Sequence, residues 1–193
     1  GKLWSKKGEQ VLRELPLKPW ASRRREDLFR VREMLNGQID LLDQSVVDVA
    51  QKNEKARLLM TQPGVGPITS MAFVLTMGDV SRFPRGKQVA SYLGLIPREY
   101  SSGGKQRFGP ISKQGNGFLR MLLVEAAQVA VRCDPQMRRE YLHRCHHKAK
   151  GIAKVAAARK LAIRLYWMLR TNRGYPEVVR VESSPRVPVV GAS

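Results

Sequence analysis

The sequence predicts a mainly α-helical chain: a long coiled-coil-type helix, then a compact helical domain carrying a helix-hairpin-helix and one small basic β-hairpin. Three observations predict it. Apolar residues recur at spacings of three and four from Leu28 to Val49, and again through the second half. The octet Gln62-Pro63-Gly64-Val65-Gly66-Pro67-Ile68-Thr69 joins two apolar helical patterns through a glycine turn. Extended character is confined to the glycine-rich stretch Arg98 to Gln114, where Gly103-Gly104 signals a hairpin turn.

Gly1 to Trp20 is short and broken by Pro16 and Pro19. Ser22 to Lys55 reads as one helix. Ser22 is placed to cap it, and Glu26 and Asp27 fall early, where the helix dipole favours acids. Leu28, Val31, Leu35, Ile39, Leu42, Val46 and Val49 form a narrow apolar seam suited to pairing with another helix. Gly37 weakens the helix by ~1 kcal/mol relative to Ala. Lys55 to Met77 is the helix-hairpin-helix. There Gly64 and Gly66 are free to take positive φ, and Pro67 fits a first helical position. Gly78 stops it, and a short helix follows from Gly86 to Leu93. Beyond the basic hairpin, Asn116 caps a helix from Gly117 to Arg132. Asp134-Pro135 starts another, to Lys148, and a third runs from Gly151 to Arg170. That third helix turns Val155, Ala158, Leu161, Ala162, Leu165 and Met168 inward and Lys154, Arg159, Lys160, Arg164 and Arg170 outward. The segment from Tyr175 is rich in Pro and Val without period, and 176–193 is expected to be a disordered tail. The expected organisation is therefore 1–55, 56–175 and 176–193.

Composition narrows the partner. The 193 residues are 42% apolar, enough for a core. Lys and Arg number 35 against 16 Asp and Glu, a net charge of +19, and such self-repulsion points to a polyanion, nucleic acid first. No long apolar run or basic amphipathic anchor suggests a membrane, and no apolar signal segment follows Gly1. Two cysteines, Cys133 and Cys145, make no disulfide framework, so a reducing, cytoplasmic setting is expected.

The residues that suit phosphate fall in two places. A glycine turn that opens a helix aims backbone N–H groups and a dipole at an anion, which singles out Gly64, Val65, Gly66 and Thr69. The plain alternative is a turn between two packed helices. Arg98, Lys105, Arg107 and Lys113 bring charge to the glycine-rich hairpin, and Arg120 follows on the next helix. Ser101 and Ser102 lie at its tip. A serine hydroxyl attacks phosphorus only where the phosphate is oriented and neutralised; Ser-Ser-Gly-Gly is also ordinary turn chemistry. His143, Cys145, His146, His147 and Cys133 lack paired zinc-ligand spacing, and no metal site is expected in this chain.

Taken together, the residues from Arg57 to Tyr175 resemble the C-terminal transposase domain of the insertion-sequence 110/116/902 family. The likeness is carried by Leu59 to Phe83, by Ala90 to Pro97, by Ser102-Gly103-Gly104-Lys105, by Gly109 to Asn116 and by Leu119-Arg120. The basic stretch and long helix before them resemble the linker coiled coil of the same family. The resemblance implies DNA recombination, guided in some members by a structured RNA. It implies a serine before the glycine as nucleophile, here Ser102 with Ser101 as fallback. It also implies an N-terminal RuvC-like domain with acidic ligands for a divalent metal such as Mg. No matching acidic set is found in this chain, so activity by this chain alone is not expected. The expected partners are DNA, a guide RNA and a second copy through the 22–55 helix. The rival readings are a non-catalytic nucleic-acid-binding module and a basic structural RNA-binding protein.

Overall fold

The computed structural model describes residues 5–100 and 107–183. Over these residues the protein is mainly helical, as the sequence predicts. It divides into two units, Gly1–Ser45 and Val46–Ser193.

In the first unit, α1 (Lys6–Glu14) opens at Ser5, whose hydroxyl accepts the Gly8 N–H at 3.2 Å. The carbonyls at the end of α1 need partners. Arg25 supplies them from α2 (Pro19–Lys52), donating to Leu12 O at 3.1 Å and Leu15 O at 2.8 Å. Phe29 is buried, with the Arg13 guanidinium 4.2 Å from its ring centroid. Hydrogen bonds from Arg32 and then Arg13 hold the Glu9 carboxyl below the usual carboxylate range.

The long helix is present at its expected length, shifted three residues toward the N-terminus. It starts at Pro19, whose missing N–H is no loss in a first turn. Ser22 therefore lies inside α2, where its hydroxyl donates to Leu17 O at 3.3 Å instead of capping. The helix ends at Lys52 because Asn53 turns extended, with φ −93° and ψ 113°. Its side-chain oxygen takes the Ala56 N–H at 3.0 Å and starts α3 (Glu54–Met60). A short polar side chain has outcompeted the helical ladder.

The second unit is organised on α8 (Lys150–Thr171), which packs on α3, α5 (Gly86–Tyr92), α6 (Gly117–Cys133), α7 (Pro135–His147) and α9 (Tyr175–Ser183). One side of α8 is a run of small and medium residues, Ala153, Ala158, Leu161, Ala162 and Leu165, all buried. The alanines let the neighbouring helices approach closely. Between α3 and α6 lies α4 (Pro67–Met77), with Phe73 and Met77 in the core. The chain between α5 and α6 forms an antiparallel pair, β1 (Pro97–Glu99) and β2 (Phe108–Ile111).

Two expectations about the third long helix and the tail are corrected. Arg164 is buried, not outward: it donates to Asp134 Oδ2 at 2.6 Å and, more distantly, to Gln62 Oε1 at 3.5 Å. Arg170 donates to Phe83 O at 2.8 Å. A 3.6-residue period places a residue on a face but does not say whether another element covers that face. The second correction is at Tyr175, where the expected tail begins as α9. The Tyr175 N–H meets Thr61 Oγ1 at 2.9 Å, its ring centroid lies 5.7 Å from the Arg164 guanidinium, and Val178 is buried. Residues 184–193 lie outside the described residues. Among the described residues no helix is long and apolar enough to cross a membrane.

Candidate nucleic-acid interface

The turn between α3 and α4 is set by its contact with α6. Gly64 has φ +88°, and a Cβ there would stand 2.4 Å from Ala126 O and 2.9 Å from Ala130 N. Its lack of a side chain serves packing. The Val65 N–H is bonded to Gln62 O at 3.0 Å and its side chain is buried, as is Thr69. Gly66 differs from the expectation of positive φ: it is extended, with φ −94° and ψ −177°, and it is the N-cap of α4. No side chain caps α4, and a Cβ on Gly66 would meet nothing within 4 Å. Of the four residues named for phosphate in this turn, Gly66 is the exposed one, at the positive end of an uncapped helix.

The basic hairpin is mounted on a clamp of backbone. Gly94 (φ +65°) and Gly115 (φ +73°) let two chain segments cross in contact. A Cβ on Gly94 would fall 2.3 Å from Gln114 O, and one on Gly115 would fall 2.2 Å from Tyr92 O. Arg120 closes the crossing by donating to Leu93 O at 3.1 Å and Gln114 O at 2.6 Å. Expected among the DNA contacts, Arg120 here holds the hairpin's base through Nη1. From that base β1 and β2 pair Pro97 with Ile111 and Glu99 with Phe108, with an irregularity between. The Tyr100 N–H carries the pairing on to Arg107 O at 2.8 Å.

Arg98, Arg107 and Lys113 are all exposed on this hairpin. Arg98 reaches across it to Ser112 O at 3.2 Å, and Lys113 is held in the left-handed region at φ +56°. Ser101, Ser102 and Lys105 lie outside the described residues, in the segment that joins Tyr100 to Arg107. Sequence reasoning passed over Tyr100 and Phe108, which are 58% and 62% exposed on the same hairpin. Two aromatic faces beside three cations suit stacking on bases next to a phosphate backbone. Their signal was available: large aromatics in a basic glycine-rich loop have no core to enter.

The two phosphate-suited places are not brought together. The Gly64 turn abuts α6 at Ala126 and Ala130, and the hairpin enters α6 at Asn116, whose amide donates to Thr76 Oγ1 at 3.3 Å. Ten residues of α6 separate Asn116 from Ala126, a rise of ~15 Å. Cys133 and Cys145 are free thiols, and among the described residues no three His, Cys, Asp or Glu groups converge for a metal.

Comparison with known proteins places these elements in a family. The model of the "Transposase IS116/IS110/IS902 family" matches residues 56–142, from α3 into α7. A probable family 20 transposase of Pseudomonas aeruginosa is 34% identical over 141 residues, 71% of this chain and 41% of that protein. The transposase for insertion sequence element IS1111A of Coxiella burnetii is 39% identical over 84 residues, 44% of this chain and 23% of its own. The pilin gene-inverting protein of Moraxella bovis is 32% identical over 126 residues, 64% of this chain and 39% of that protein. The chain spans less than half the length of these relatives.

Proposed function

We propose, from the premise that the chain belongs to the IS116/IS110/IS902 transposase family, that it is the DNA-gripping and nucleophile-bearing part of a DNA recombinase. The observation that carries this reading is the rigidly based hairpin of β1 and β2, with Arg98, Arg107 and Lys113 exposed; Ser102 falls in the sequence between the two strands. In this reading the Ser102 hydroxyl attacks a phosphodiester phosphorus. An Oγ–P bond forms, the bond to one deoxyribose oxygen breaks, and that sugar oxygen leaves with a proton. The serine–DNA ester is later reversed by a sugar hydroxyl of the incoming strand. Arg98, Arg107, Lys105 and Lys113 stabilise the charge that grows on the phosphoryl oxygens. The proton acceptor is assigned to the remainder of the recombinase.

The same reading gives α2 a partner. Leu28, Leu35, Ile39, Leu42 and Val49 are each more than half exposed along its seam, and a second copy of α2 would cover them. Partner DNA, and a structured guide RNA in the manner of some family members, complete the proposal.

The test is denaturing electrophoresis of a recombinase carrying this chain and its acidic domain, with end-labelled DNA. Ser102→Ala is expected to abolish the covalent protein–DNA adduct and keep DNA binding within about twofold. Loss in Ser101→Ala but not Ser102→Ala would move the nucleophile by one residue. An adduct in both would leave a non-catalytic nucleic-acid-binding module as the reading.

A further inference from the structure

Away from the hairpin, the faces of α6, α7 and α8 form a groove that the recombinase reading does not use. Two depressions of about 200 Å³ and 330 Å³ adjoin, sharing Tyr141 and Ala157 as walls. Arg132 and Lys154 line the smaller one, and Arg144, Arg159 and Lys160 line the larger. The acid among these lining residues is Glu140, already bound to Lys160 at 2.5 Å. Among the described residues no ion pair is formed by Arg132, Arg144, Lys154 or Arg159.

Holding five cations on three packed helices opposes folding through their mutual repulsion, and one carboxylate does not offset it. The charges are spread over two adjoining depressions, not gathered at one point. Lys154 and Arg159 are five residues apart on α8, a rise of ~7.5 Å, and Arg144 of α7 shares the larger depression with Arg159 and Lys160. A small anion would use two or three of these charges, whereas a phosphodiester backbone uses all of them in turn. The alanine floor of Ala127, Ala156 and Ala157 lets a strand sit low, and the half-buried ring of Tyr141 lies between the two depressions. This groove sits toward the far end of α6 from the hairpin: Gly117 and Arg132 are separated by a rise of ~22 Å.

We propose that the groove of α6, α7 and α8 is a second nucleic-acid contact, which grips the phosphodiester backbone of a strand other than the one at the hairpin. It rests on the reading that the chain acts on nucleic acid. Two separated contacts on one domain would let it hold two strands at once.

The test compares the full chain with two variants. One is Arg144→Gln/Lys154→Gln/Arg159→Gln in the groove; the other is Arg98→Gln/Arg107→Gln/Lys113→Gln on the hairpin. Each is titrated with labelled duplex DNA, single-stranded DNA and single-stranded RNA of one sequence, between about 50 and 200 mM salt. The probe affected identifies the source of the strand. Energy transfer between donor- and acceptor-labelled strands reports two strands on one protein. Loss of three phosphate contacts should reduce the salt slope by about 2 to 3 in the groove variant and remove the energy transfer, with a melting temperature at or above the parent's because repulsion is relieved. Arg144→Gln alone, at an exposed position, should give about a third of the slope change and guards against a folding defect. A groove variant that matches the parent in slope and energy transfer, while the hairpin variant loses affinity, overturns the groove and leaves the recombinase reading intact. A parent that binds none of the probes overturns both.

Discussion

At the scale of the residue, two glycines two positions apart do different work. Gly64 is fixed by contact: backbone atoms of α6 stand where its Cβ would be, and its φ is positive. Neither atom can rotate away, so Gly64→Ala combines overpacking with a strained backbone, on the order of 2–4 kcal/mol. We expect its melting temperature to fall by roughly 5–15 °C. Gly66→Ala meets open space at a φ that any residue adopts. It should melt within ~3 °C of the parent and show its effect, if the turn holds phosphate, in DNA affinity. Differential scanning calorimetry of both variants decides the matter; equal melting of parent and Gly64→Ala would refute the packing role.

At the scale of the element, α2 carries an apolar seam that its own unit leaves open. Leu35 is 51% and Leu42 66% exposed, with Met34 and Leu41 exposed beside them. Exposed leucines at spacings of three and four over several turns stabilise nothing in isolation and fit a facing helix. Leu35→Glu/Leu42→Glu is therefore expected to halve the mass measured by sedimentation equilibrium at tens of micromolar, with helix content kept by circular dichroism. A parent chain already monomeric at that concentration would end the proposal. The hairpin is the contrasting element: its base is held from outside by Gly94, Gly115 and Arg120, which belong to neighbouring segments.

At the scale of the whole molecule, one buried ion pair ties segments far apart in the chain. Asp134 caps α7 by accepting the N–H groups of Gln136 at 2.8 Å and Met137 at 3.0 Å, and it pairs with Arg164 of α8. Gln62 from the α3–α4 turn and Tyr175 from the start of α9 close around it. Burial opposes the charge on Asp134, but the Met137 N–H, the Arg164 guanidinium and the Gln136 N–H outweigh it and hold the carboxyl below its usual range. Burial also pushes the Tyr175 phenol up. Because the folded value of Asp134 is depressed, its stabilisation is fully present above an unfolded value of about 3.9 and is lost as pH falls through the folded value. Asp134→Ala leaves Arg164 buried without this partner and should cost about 3–5 kcal/mol at neutral pH. The urea midpoints of parent and variant should then converge as pH falls from about 5 toward 2. Parallel curves would show that the pair does not carry the pH dependence.

The sequence by itself determined the helical class, the α3–α4 hairpin, the β1–β2 hairpin and the excess of positive charge. Each follows from local rules: apolar period, glycine and proline at turns, and a count of charges. Several things were decided by tertiary structure alone. Gly64 proved to be a packing residue because α6 crosses it, and Arg120 a clamp because Leu93 O, 27 residues away, comes within its reach beside Gln114 O. Arg164 turned inward because Asp134, thirty residues away, sits beneath it. Tyr175 to Ser183 became a helix because Thr61 and Arg164 offer it a seat. In every case the deciding partner is remote in sequence, and a local pattern says which face a side chain occupies but not what that face meets.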